Sequence, residues 1–332
     1  MSTAKALMAQ SVYFGKLPSR GDFVRSAVGA PLIHKLDEWM SQAVELMTED
    51  PRWKLVYDAA LPIHFAILGP GHKAGLVGHL MASRDTSGRR FPFVRAASID
   101  LQDPEPFLSY AAHALMPLWH RQADDVQRAW RAEEFSETLL SNEPVEVEVQ
   151  PSALREEHLG YSGVHSLSQL SLWLSPGHGT PDAEPVSVRQ TLLALGMLLQ
   201  PVRTQGIGGL SKGLLLPLPR DAALLAAVMS FWTSLIVPFF RSTSAELAFL
   251  LSQHAEHPVL LVGFHGVSPV TLRSALDREF ALAQHLQVSE AQWVEEWVNS
   301  DYGLRKLSTV LQDDSLSWAA AADVFLEVFL GE

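Results

Sequence analysis

Apolar and polar positions along the chain alternate between strand-like and helix-like periods from the first residues onward. Tyr13 and Phe14 are strand formers, Pro18 presets a turn, and Gly21 offers positive φ, so residues 13–24 read as strand, tight turn, strand. Behind Pro31, the residues Leu32, Leu36, Trp39, Met40, Ala43 and Met47 recur at helical spacing. They predict an amphipathic helix over 31–47, with Lys35, Asp37, Glu38 and Glu45 on its polar face. A partial helix follows within 52–62. Residues 63–68 and 75–82 are β-like around the turn-forming Gly69-Pro70-Gly71-His72-Lys73, which predicts a hairpin. A further strand covers 91–101. From Pro104 to about Ser141 the pattern is helical, through Leu108, Leu115, Trp119, Val126, Trp130 and Phe135, with a kink or break expected at Pro117.

Residues 143–157, polar and carrying Pro144 and Pro151, read as a connector, and 169–174 as a short strand. The stretch 175–185 is rich in Pro, Gly and acids, and it divides the chain into an N-terminal domain over 1–175 and a C-terminal one over 186–332. Beyond it come a helix over 186–199, a strand over 213–218, a long apolar helix, and strands over 246–251 and 258–264. A mostly helical tail from 269 to 330 breaks near Val288, Asp301 and Asp313. The expected fold is α/β: a layered sandwich with a mostly antiparallel sheet and flanking helices, followed by a helix-rich α/β second half. No period of 20 to 50 residues points to a solenoid.

Residues 222–240 are uncharged and as long as a membrane span of about 20 residues requires. Four alanines, Ser230, Thr233, Ser234 and Pro238 inside it, with Arg220, Asp221 and Arg241 at its ends, favour a buried core helix. No stable membrane insertion is expected. The formal net charge of −12 disfavours nucleic acid as a partner, because phosphate-binding proteins concentrate Lys and Arg. Without cysteine there is neither a disulfide framework nor a thiolate metal site. Residues 1–10 lack an apolar run of signal-peptide length, so a cytoplasmic location is expected.

Two segments concentrate charge on constrained turns. The first is Tyr13-Phe14-Gly15-Lys16-Leu17-Pro18-Ser19-Arg20-Gly21-Asp22-Phe23-Val24, and the second runs from Ser83 to Phe93 with Asp85, Arg89 and Arg90. Together they resemble the signature of the TagF (ImpM) family of type VI secretion-associated proteins, over roughly residues 10–175. The resemblance implies a non-enzymatic cytoplasmic accessory protein. It also implies a post-translational repressor of apparatus assembly that binds the system's forkhead-associated scaffold protein. The residues carried over as signature or protein-binding are Lys16, Arg20, Asp22, Phe23, Asp85, Arg89 and Arg90. Arginine suits bidentate contact with carboxylate or phosphate. Two arrangements are open: a partner-facing patch, or an internal network in which Arg20, Asp22, Asp85 and Arg89 hold the two turns together.

Enzyme-like patterns are few. Gly209-Leu210-Ser211-Lys212-Gly213 has the spacing of a nucleophile elbow, yet the elbow needs a strand before its serine and a helix after it. Here a Gly-rich turn precedes Ser211 and a strand is predicted behind it. The alternatives to the binding role are a hydrolase using Ser211 or an unrecognised carboxylate site, and a ligand-binding module. Neither Gly69-Pro70-Gly71 nor Gly206-Ile207-Gly208 completes a phosphate loop. The thirteen histidines form no recognised ligand pair, so no cofactor and no metal is expected.

Overall fold

The computed structural model of the chain describes residues 6–140, 143–175, 185–254 and 257–332. The first segments form β1 (Leu7–Ala9), β2 (Val12–Gly15), β3 (Val24–Arg25), α1 (Ala30–Met47) and α2 (Trp53–Ala59). The hairpin β4 (Ile63–Leu68) and β5 (Ala74–Met81), then β6 (Phe93–Asp100) and α3 (Pro104–Arg131), follow. β7 (Val145–Val147), α4 (Pro151–Ser162) and α5 (Leu167–Leu174) complete the part before residue 176. Beyond residue 184 come α6 (Val188–Leu199), α7 (Val202–Gln205), β8 (Gly213–Pro217), α8 (Ala222–Ile236), β9 (Leu247–His254) and β10 (His257–Gly263). The tail is α9 (Pro269–Leu276), α10 (Arg278–Gln284), β11 (His285–Gln287), α11 (Glu295–Val298), α12 (Tyr302–Val310) and α13 (Trp318–Leu330).

Nine strands make one sheet in the order β11-β8-β10-β9-β4-β5-β6-β2-β3. Its neighbours are antiparallel except for the β11–β8 pair. β1 and β7 form a separate antiparallel ladder. Helices cover both faces, which is why β4, β8 and β10 read as nearly unbroken apolar runs. On one face α1, α2, α9 and α10 pack on Ile63, Phe65, Ile67, Leu250 and Leu261. On the other, α3, α8, α6 and α13 pack on Ala66, Leu68, Phe249, Leu260 and Val262. The layered, mostly antiparallel α/β architecture expected from the sequence is the one observed.

The stretch 175–185 lies almost wholly outside the described residues. Across it the sheet is continuous, because β4 pairs with β9 from His64↔Leu251 to Leu68↔Leu247. The two sides also contribute to the same apolar clusters.

The apolar stretch 222–240 is α8 followed by a 3-10 turn, Val237–Phe240, and it is largely buried. Asp221 caps its first turn by accepting from Ala223 N at 2.9 Å. Thr233 Oγ1 donates to Ser109 O of α3 at 2.8 Å, and Trp232 Nε1 donates to Pro217 O of β8 at 3.0 Å.

Several expectations are corrected. Residues 169–174 are not a strand but most of α5, since Ser166 and Gln169 form a capping box and Leu167, Leu170 and Leu174 repeat at helical spacing on the buried face. The 143–157 connector contains β7 and the first turns of α4, where Pro151 occupies the first turn and loses no intrahelical bond. Pro117 lies inside α3, whereas the non-helical backbone falls at Tyr110 (φ −129°, ψ 17°). β1 and β11, each three residues long, are too short for a periodic signal.

Candidate functional site

The two signature segments meet because β2 and β6 are adjacent, with Gly15 opposite Phe93. Gly15 has φ +135°, and a Cβ there would stand 2.0 Å from Pro92 O, so only glycine fits. Gly21, expected to supply positive φ, is not among the positive-φ glycines. Leu17, fully buried with Tyr13, Phe93, Val126 and Phe135, roots the loop that follows, and Arg20 N donates to Leu17 O at 3.0 Å to close its turn.

Asp85 is the centre of the site, with its carboxylate fully buried. Oδ1 accepts from Ser87 N at 3.0 Å, Ser87 Oγ at 2.7 Å and Arg89 N at 3.0 Å. Oδ2 accepts from Arg89 Nε at 2.7 Å and pairs with Lys16 Nζ at 3.0 Å. Burial alone would raise its pKa. The bonds from Ser87, Arg89 and Lys16 outweigh burial and hold the carboxyl well below its ordinary range. Arg89 reaches on to donate to Gly21 O at 2.7 Å, and Thr86 N donates to Arg20 O at 2.9 Å. The Asp85 turn therefore clamps the first signature loop through Lys16 and through two main-chain carbonyls.

Aromatic packing adds a second tie. Phe14 and Phe23 stack at 5.4 Å, Phe91 meets Phe23 edge-on at 4.9 Å, and Lys16 Nζ lies 5.0 Å from the Phe23 ring centre. Arg90 turns the other way, toward α2. It binds Asp58 at 2.8 and 2.5 Å and lies 5.9 Å from the Trp53 ring. Tyr57 Oη donates to Ser83 O at 3.1 Å and accepts from Ser83 N at 3.0 Å, which secures the start of the second segment.

Of the seven residues singled out in the sequence, Lys16, Asp85 and Arg89 form the internal network, and Phe23 packs against it. Arg90 belongs to a neighbouring pair with Asp58. Arg20 and Asp22 lie outside, both exposed, and Asp22 Oδ1 accepts from Phe23 N at 2.8 Å. A network of Arg20, Asp22, Asp85 and Arg89 is therefore not what the chain builds. Lys16 holds the place expected of Arg20.

Sequence reasoning missed Ser87, whose position two residues after Asp85 and before Gly88 is the signature of an Asx-type turn. It also missed Asp58 and Trp53, which no local pattern links to Arg90. A second buried network escaped too: Arg95 of β6 pairs with Asp125 of α3 at 2.8 Å, and Arg128 also binds Asp125. Arg95 within the apolar run Phe91 to Ile99 was the available signal.

Ser211 is exposed on the turn between the 3-10 segment Gly206–Gly209 and β8, the reverse of an elbow's order. Several histidines are buried. His64 and His79 face one another across the β4–β5 hairpin with Nδ1 atoms 3.1 Å apart, beside Trp119.

Residues 12–141 match the family model for the TagF N-terminal domain, type VI secretion system-associated. Among solved structures, the chain is similar to PA0076 from Pseudomonas aeruginosa PAO1 at 20% identity, covering 39% of this chain and 59% of that one, with a TM-score of 0.34. No curated protein matches. Residues 12–141, which contain both signature segments and the Asp85 clamp, are thus a TagF N-terminal domain, type VI secretion system-associated.

Proposed function

We propose that the protein is a cytoplasmic accessory component of type VI secretion that represses apparatus assembly post-translationally by binding the system's forkhead-associated scaffold protein. The observation that carries this reading is the construction of the Asp85 clamp. A buried carboxylate, a buried lysine and a glycine with no room for a side chain fix the shape of a surface loop that performs no evident chemistry of its own. Such rigidity suits a recognition surface, because a loop ordered beforehand pays less entropy on binding. The clamp also holds Arg20 and Phe23 at the surface, side chains of the kinds that dominate binding interfaces. A non-enzymatic role fits Ser211, which has the elbow's spacing without its strand-then-helix order.

The test is co-purification of the full chain with the scaffold protein from cells carrying the secretion genes, with apparatus assembly counted at raised and abolished levels of the protein. Stoichiometric recovery of the scaffold, with assembly falling as the protein rises, is the expected result. Ser211→Ala is expected to repress as well as the unaltered chain. Absence of the scaffold from the purified material, together with assembly indifferent to the protein, would overturn the proposal.

A further inference from the structure

The signature segment ends at an edge of the sheet. β3 is the last strand in the order, so among the described residues its outer side has no strand neighbour. Beside it runs an open groove of about 560 Å³ whose lining includes Tyr13, Arg20, Phe23, Arg25, Glu134 and Glu137. We propose that this groove is a binding site for an extended acidic peptide segment of a partner protein, which adds to the edge of β3 and sets its carboxylates against Arg20 and Arg25.

Three observations select that occupant. Main-chain groups at a sheet edge are a template for an extended chain, with pockets beside it for alternate side chains. Phe23, 42% exposed yet fixed by stacking on Phe14, is a ready apolar contact for one of those side chains. Charge decides the rest. Arg20 and Arg25 are both exposed and, among the described residues, neither is in an ion pair. In and beside the two signature segments Lys16 and Arg89 are engaged by Asp85 and Arg90 by Asp58, which leaves Arg20 and the adjoining Arg25 as the cations of the groove. Asp85 is consumed internally by Lys16 and Arg89, so it does not compensate the groove. Two exposed carboxylates, Glu134 and Glu137, also line the groove, and Glu137 accepts from Tyr13 Oη at 2.6 Å, so the ligand's own carboxylates must lie on the β3 side, against Arg20 and Arg25.

The inference deepens the proposed function, and it rests on that reading only for the identity of the partner. Its test therefore has two arms. In the first, the full chain is titrated with a ten-residue peptide alternating Glu and Val, with its Lys counterpart, and with the acidic peptide N-methylated at alternate positions. Binding of the acidic peptide alone is expected, weakened at least about tenfold by Arg20→Glu combined with Arg25→Glu. Equal binding by all three peptides, or by the reversed variant, or no binding of the acidic peptide, overturns the groove. In the second arm the scaffold protein replaces the peptide, and circular dichroism checks that the reversed variant retains its fold. A scaffold that binds both chains equally removes the groove and leaves the proposed function standing. If the acidic peptide binds and the scaffold does not, the groove stands and the proposed function falls.

Discussion

At the scale of single residues, the signature separates into a structural part and an exposed part. Lys16 and Asp85 bury their charges against each other, with side chains 9% and 0% exposed, whereas the side chain of Arg89 is 64% exposed. The three substitutions to alanine should rank accordingly. Asp85→Ala strands a buried ammonium and should cost about 3–5 kcal/mol. Arg89→Ala leaves Asp85 with Lys16 and Ser87 and should cost about 1 kcal/mol or less. Arg20→Ala should lie within about 0.5 kcal/mol of the unaltered protein. Denaturant midpoints measure all three, and an Asp85→Ala protein as stable as the Arg20→Ala one would show that the clamp contributes nothing. Residue types and spacing singled out Lys16, Asp85 and Arg89, but with them Arg20 and Asp22, which lie outside the network, and they missed Asp58. Which cation enters the core could not be read there, because Lys16 and Arg20 flank the same turn and only the direction of β2 points Lys16 inward.

Among the elements, α8 shows how far composition alone can mislead. Its apolar length satisfies the requirement for a membrane span, yet the helix is packed beside α3 in the core cluster that covers this face of the sheet. Trp232 is fully buried and ties α8 to β8 through Pro217 O. Trp232→Ala should therefore destabilise the protein by about 3–5 kcal/mol in denaturant titration. A substitution neutral for stability, with the chain fractionating into carbonate-resistant membranes, would assign the helix to lipid instead. The elements with strong periodicity, α1, β4, β5 and β9, were legible within a residue or a few of their ends. α5 was not, because eight residues of mixed Leu and Ser satisfy the strand and helix templates alike, and the capping box at Ser166 and Gln169 decides between them.

For the whole molecule, buried imidazoles set the response to acid. Burial lowers His79, His254 and His285 to about 4 and His158 to about 3, and it holds His64 well below its usual value. Each stays neutral in the folded chain at pH values where the unfolded chain binds a proton, so stability is full above about pH 6.5 and falls as pH drops toward 4. The slope is roughly 1.4 kcal/mol per pH unit for each such group. Asp85 adds a further loss only below its unfolded value of 3.8, because its folded pKa is lowered. Urea unfolding at pH 7.5, 6 and 5 should show this decline, and His79→Gln should flatten it; a pH-independent midpoint would contradict the assignment. By itself the sequence determined the layered antiparallel class, the apolar core helix and the two turns that carry the family signature, because each is written in local period and turn chemistry. The continuous nine-stranded sheet, the pairing of β4 with β9, the Arg90–Asp58 and Arg95–Asp125 pairs, and the inward turn of Lys16 beside an outward Arg20 were decided only by tertiary structure. Each depends on surfaces that distant segments present to one another, and no local pattern encodes which of several complementary surfaces will meet.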